Sequence, residues 1–206
     1  MALTKNKDEQ GRGTAAAPGA SRGLQWLWQH LSNIRHPRCF ECGPISQSTL
    51  DVLLLRGAKL YLADLITPAQ KGDAALWSRE GKTPVFLVDE FLALIPPIPP
   101  ESLSAICCWG LLDMLPHEAL APVVGRFHSY LQPNGVLFSI LREPSLANGV
   151  DTRWWFESLT VMGSKNSNKP FPYPALTNRQ MEQIFPGGNV KTFLTRSGRR
   201  EVLGVK

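Results

Sequence analysis

From residue 38 to the C-terminus, short apolar runs alternate with stretches of helical spacing, and that alternation leaves the chain few folds to choose from. The runs are Arg38–Cys42, Lys59–Leu65, Pro84–Val88, Leu103–Trp109 and Val136–Leu141. Each is too short for a helix that buries a face, and each suits a strand covered on both sides. Strands in alternation with helices predict a doubly wound α/β sheet, mostly parallel, with helices on both faces.

The segments between the runs agree. Ser48-Thr49-Leu50-Asp51 has capping-box spacing and opens a helix through Leu55, which Gly57 can stop. From Pro116 to Leu131 the spacing sets Leu120, Val123, Val124, Phe127 and Leu131 on one helical face. Pro96-Pro97-Ile98-Pro99-Pro100 excludes helix and central strand, so it is an extended surface loop. Gln132-Pro133-Asn134-Gly135 predicts a turn, and Thr177 caps a helix running to Phe185. Val190–Thr195 and Arg200–Lys206 predict a closing antiparallel pair that turns at Ser197-Gly198. Residues 144–175 are rich in Asn, Pro, Ser and Trp and are expected to form loops and a short helix. Ahead of the sheet, Leu24, Leu27, Trp28, Leu31 and Ile34 predict an amphipathic helix over 24–35, and residues 1–22, without periodicity, a disordered tail. Residues 23–206 are thus expected to form one domain, with its sheet core over 38–206.

Composition narrows the class. The chain has 206 residues, of which 43% are hydrophobic and 19% charged, enough apolar content for a packed core. No apolar run reaches the roughly 18 residues of a membrane span, and the first residues lack the apolar stretch of a secretory signal. Four cysteines are too few for a disulfide scaffold. The expectation is a soluble cytoplasmic protein. Net charge is +5, but the charge is uneven: residues 1–38 carry +4, 39–150 carry −4 and 151–206 carry +5. No Lys/Arg run is interleaved with aromatics, so nucleic acid is possible as a partner and not favoured. Cys39, Cys42, Cys107 and Cys108 alternate across strands and diverge, so they read as buried apolar thiols and not as a metal site. No histidine is spaced with Ser, Cys or Asp as a triad requires, and no catalytic residue is assigned.

In a doubly wound sheet, ligands bind beyond the carboxyl ends of the strands, where strand order reverses. Three of those ends carry acids. Glu41-Cys42-Gly43-Pro44 follows the first strand, Asp64-Leu65 closes the second and Asp89-Glu90 follows the third. Cys108-Trp109-Gly110 closes the fourth with an aromatic wall. Asp64 lies 21 residues beyond Gly43, a spacing that suits a carboxylate accepting both hydroxyls of a ribose.

With these residues the chain resembles the class I S-adenosylmethionine-dependent methyltransferases over about 36–206. Glu41-Cys42-Gly43 is similar to the start of that family's first motif, Asp64 to its ribose-binding acid and Asp89 to the acid near the adenine. Leu111–Pro116 resembles the segment after the fourth strand, and Leu131–Gly135 the turn before the fifth. The departures lie in the first motif, where Ile45 and Gln47 stand at glycine positions, and at Ser104, where the family usually has an acid. The resemblance implies a Rossmann-like fold, S-adenosylmethionine as cofactor and transfer of its methyl group to an unidentified small-molecule or protein acceptor. It implies a cofactor site at Glu41, Cys42, Gly43, Pro44, Asp64, Leu65, Asp89, Glu90, Cys108 and Trp109, and an acceptor pocket walled by Trp28, Trp154 and Trp155. The other reading is an inactive methyltransferase-like scaffold that binds protein or RNA through its basic ends.

Overall fold

A computed structural model describes residues 15–80, 83–144, 150–195 and 198–206. The chain begins with β1 (Ala15–Ala20) and α1 (Arg22–His30), then β2 (Arg38–Glu41), α2 (Gln47–Leu55) and β3 (Lys59–Leu62). Next come α3 (Ile66–Lys71), a 3-10 turn at Ala74–Leu76, β4 (Trp77–Glu80), β5 (Thr83–Phe86) and α4 (Val88–Ala93). They are followed by β6 (Leu103–Trp109), a 3-10 turn at Leu111–Met114, α5 (His117–Tyr130) and β7 (Leu131–Arg142). The last elements are β8 (Val150–Phe156), β9 (Val161–Pro170), α6 (Asn178–Ile184), β10 (Val190–Leu194) and β11 (Arg199–Val205).

Six strands form the main sheet in the order β10-β11-β7-β6-β2-β3. The pairs β3–β2, β2–β6 and β6–β7 are parallel, and β11 closes antiparallel against both β7 and β10. This is the Rossmann-like sheet expected from the sequence, including its terminal antiparallel pair. The chain leaves β2 toward β3 on one side and returns to β6 on the other, so strand order reverses between β2 and β6.

Burial follows the pleat. In β6, Ile106 and Cys108 join one core while Ala105, Cys107 and Trp109 join the other. In β7, Leu137 and Leu141 face the first, and Val136, Phe138 and Ile140 the second. The first core is closed by α4, α5 and α6 through Phe91, Leu120, Phe127 and Met181. The second is closed by Leu24, Leu27 and Leu31 from the N-terminal helical region, Leu53 of α2, and Phe156 and Met162 of a smaller sheet. Full burial of each such side chain contributes roughly 1.5–3 kcal/mol.

Four expectations need correction. Pro84–Val88 is not a strand of the main sheet: β5 pairs antiparallel with β4 in a separate hairpin, and helix begins at Val88. β4 and β5 are near neighbours in sequence, and a parallel pair would need a crossover of roughly a dozen residues or more between them. Residues 145–149 lie outside the described residues, and most of 150–170 is strand where the sequence predicts loops and a short helix. There β8 and β9 pair antiparallel, and β1 adds to β9 in a three-stranded sheet of order β1-β9-β8. Consequently residues 15–22 are not tail. Residues 1–14 lie outside the described residues, as does Ser197. The N-terminal helix is shorter than the predicted 24–35. It starts at Arg22, capped by the Ser21 hydroxyl accepting from Leu24 N at 2.9 Å, and ends at His30. Among the described residues, no helix is long and apolar enough to cross a membrane.

Candidate functional site

A cleft of about 550 Å³ opens beyond the carboxyl ends of β2, β3 and β6. Its sheet side is made by Pro44, by Ile66, Thr67 and Gln70 of α3, and by Gly110. Pro44 and Gly110 follow the two strands between which strand order reverses, the place where such sheets bind ligands. The opposite wall belongs to the small sheet and carries Asp151, Arg153, Trp154, Lys165 and Lys169. The volume falls within the ~300–1,000 Å³ typical of small-molecule sites.

Behind Pro44 and Gly110 lies a fully buried cluster. Glu41 is 2% exposed, and its Oε1 accepts from Gly43 N at 3.0 Å and from the Trp109 indole N–H. Glu41 Oε2 is buried without a hydrogen-bond partner. Burial pushes the carboxyl up to about 8, against the pull of the Trp109 and Gly43 donors. Trp109 has φ 46°, a left-handed conformation costly for a bulky residue, on the order of 1–3 kcal/mol. The strand register shifts at the same point, and Ser139 Oγ donates to Trp109 O at 2.8 Å. The conformation brings the indole against Gly43, where a Cβ would stand 2.9 Å from Trp109 Cδ1. Gly43 is therefore required by the close approach of its own protein's indole.

The remaining predicted residues fall into two groups. Asp64 is exposed beside the cleft-lining α3, and its Oδ1 accepts from Thr67 N at 2.8 Å. Leu65, Cys42 and Cys108 are buried, with Leu65 N donating to Cys42 O at 2.9 Å. Burial raises the Cys42 thiol well above its ordinary range and the Cys108 thiol to about 12. Asp89 and Glu90 sit exposed in the first turn of α4, where their charges complement the helix dipole, and neither lines the cleft. Trp28 is 7% exposed and packs on Phe156, with Arg56 over its ring. The Trp155 indole N–H donates to Glu157. Only Trp154 of the three predicted acceptor-site tryptophans lines the cleft.

The small sheet supplies groups that sequence reasoning missed. Asp151 is buried, accepts from Gln70 Nε2, and has its carboxyl raised by desolvation. Arg153 Nη2 donates to Ile45 O at 3.2 Å and lies 3.4 Å from Pro44 O, strapping the loop after β2 to β8. The available signal was the alternation through Asp151–Phe156, which has the period of a strand.

No family model matches the chain, and no curated protein matches it. Among solved structures it is similar to a Burkholderia thailandensis 1,6-didemethyltoxoflavin-N1-methyltransferase bound to 1,6-didemethyltoxoflavin and S-adenosylhomocysteine. Identity is 13% over 89% of this chain and 76% of that one, with TM-score 0.48. It is also similar to an S-adenosylmethionine-dependent methyltransferase of Methanosarcina mazei, at 10% identity over 86% and 96% of the two chains and TM-score 0.49. For one from Aquifex aeolicus the values are 11%, 90% of each chain and 0.42. At such values no residue correspondence follows, and the site stands on its own geometry.

Proposed function

We propose that this protein is an S-adenosylmethionine-dependent methyltransferase that holds its cofactor in the 550 Å³ cleft. The observation that carries the reading is the position of that cleft, at the reversal of strand order between β2 and β6, with acids on the first two strand ends. The residues fit the group. Glu41 does not line the cleft; it supports the cleft floor from behind by accepting from Gly43 N and the Trp109 indole. Asp64 spends Oδ1 on Thr67 and keeps Oδ2 for a ribose hydroxyl. Trp154 supplies an apolar face on the opposite wall.

Bound S-adenosylmethionine would supply an activated methyl group for in-line displacement by an acceptor lone pair. The chain's part is alignment and exclusion of water, which needs no general base when the methyl donor is already charged. Arg153 holds the wall closed by tying β8 to the loop after β2. We place the protein in the cytoplasm, whose reducing conditions keep its four buried thiols unpaired. The acceptor is a small molecule or a protein side chain.

One observation favours the scaffold reading. The Gly43 N–H is spent on Glu41 and the space beneath Gly43 is filled by Trp109, so this glycine offers a ligand little backbone. Thermal unfolding with and without S-adenosylmethionine and S-adenosylhomocysteine decides between the two. At a hundred times its dissociation constant a ligand adds ~2.7 kcal/mol, which raises the midpoint by roughly 5–10 °C for a chain of this size. A shift of that order supports the enzyme, and no shift at millimolar ligand leaves the scaffold.

A further inference from the structure

A second cavity, of about 730 Å³, lies beside the cleft at the same end of the sheet. It lies between the tips of β7, β10 and β11 and the small sheet, with the start of α1 at its rim. Thr152, Trp154 and Asn166 line both spaces and form the partition between them. Nothing in the cofactor reading uses this chamber.

Its chemistry is specific. Ile140, Met162 and the Trp154 ring give it an apolar body. Arg22 and Arg199 both line it. Arg22 stands 5.5 Å over the Phe193 ring and makes no ion pair among the described residues. Arg199 donates to Thr152 Oγ1 at 2.9 Å and lies 5.5 Å over Phe171. One acid, Glu201, faces them. It is 1% exposed, its Oε2 accepts from Gly23 N at 2.5 Å, and Arg22 acts on it electrostatically. Asp113 and Asp151, which act on Arg199 electrostatically, do not line the chamber.

We infer that this chamber binds a small organic anion with an apolar or aromatic body, its carboxylate or phosphate held between Arg22 and Arg199. Two arginines at one rim of an apolar cavity match such a ligand, because guanidinium groups pair with planar or tetrahedral oxyanions while the body fills the cavity. If methyl transfer operates in the adjoining cleft, this ligand is the acceptor, and that identification rests on the proposed function. The binding site itself does not.

The experiment titrates the full chain, without cofactor, with the fluorescent anion 8-anilinonaphthalene-1-sulfonate and with its neutral relative N-phenyl-1-naphthylamine. The sulfonate is expected to bind in the micromolar range. Arg22→Gln, an exposed position that leaves the fold intact by near-UV circular dichroism, should weaken it at least fivefold, with the neutral probe changing less than twofold. Trp154→Ala should weaken both. Displacement by 2-naphthoate or by 1-naphthyl phosphate then tells a carboxylate site from a phosphate site, and 2-naphthol should displace neither way. Sulfonate binding absent, or unchanged in Arg22→Gln, overturns the inference. Because no cofactor is present, a failed S-adenosylmethionine shift alongside successful sulfonate binding would refute the cofactor reading and leave the chamber standing.

Discussion

The main sheet and the small sheet are built on different terms. In the main sheet, every residue of β6 is buried and each of its apolar neighbours belongs to one of two cores. In the small sheet, β8 sets buried Thr152 and Phe156 on one face and exposed Arg153 and half-buried Trp155 on the other, and β9 is polar for most of its length. In the main sheet α2 joins β2 to β3 and α5 joins β6 to β7. The small sheet joins β1 to β9, with Ala15 opposite Lys165, so its pairing depends on segments some 150 residues apart. The main sheet is specified by its continuous apolar strands, whereas the small sheet adds a polar hairpin, β8 and β9, to a distant β1. The cleft lies where they meet, so the sheet fixes one wall and the small sheet chooses what the other wall recognises.

The largest test of that contrast is Trp109→Ala. The indole is 1% exposed, packs edge-on against Phe138 and Phe156, and holds Glu41. Its loss should cost ~3–5 kcal/mol in urea unfolding. A cost below about 1 kcal/mol would mean that the switch-point wall is not part of the rigid core.

Glu41 offers the next effect, and it is a pH effect. Its folded carboxyl titrates near 8 and its unfolded carboxyl near 4.5. The folded state therefore binds more protons between those values, so stability is full below about pH 4.5 and falls as pH rises through 8. Desolvation is the leading cause, so the loss is on the order of a few kcal/mol. Glu41→Gln keeps an acceptor for Trp109 and Gly43, and should flatten the decline in urea midpoint between pH 5 and pH 8. An equal decline in the variant would show that another group carries it.

These two effects concern residues that the sequence made legible. The alternation of strands and helices, the closing pair and the acids at the strand ends all follow from spacing. What spacing could not show is that Trp109 turns back through a left-handed conformation to fill the space under Gly43, because that depends on a register shift against β7. Nor could it show that β5 leaves the main sheet or that Ala15–Ala20 is a strand. A six-residue segment of Ala, Pro and Gly has no periodicity to read, and its pairing with β9 supplies the order. The cleft's far wall was illegible for the same reason: Lys165 and Arg153 meet Pro44 only once β8 and β9 have paired.

In the small-sheet region a cap gives a smaller effect. Ser21 lies between β1 and α1, fully buried, with its hydroxyl accepting from Leu24 N. Ser21→Ala should cost ~1 kcal/mol, as lost N-caps do. If the small sheet folds with the main one, thermal unfolding of the variant stays a single transition at a lower midpoint. Two transitions would show that the small sheet melts first.

Asp64→Ala should have the smallest effect on stability and the most informative one on binding. Asp64 is exposed, and its one hydrogen bond caps a short helix, so the urea midpoint should change by no more than ~0.5 kcal/mol. Yet it stands beside α3, which forms the cleft's main-sheet wall, and under the cofactor reading it is the group that accepts from the ribose. The variant should then lose most of the thermal shift given by S-adenosylmethionine while keeping the binding of 8-anilinonaphthalene-1-sulfonate, whose chamber lies on the other side of Trp154. Loss of both would mean that the cleft and the chamber form one site and that the partition is not a boundary. Retention of the S-adenosylmethionine shift would remove Asp64 from the site, and with it the claim that the second strand end recognises a ribose.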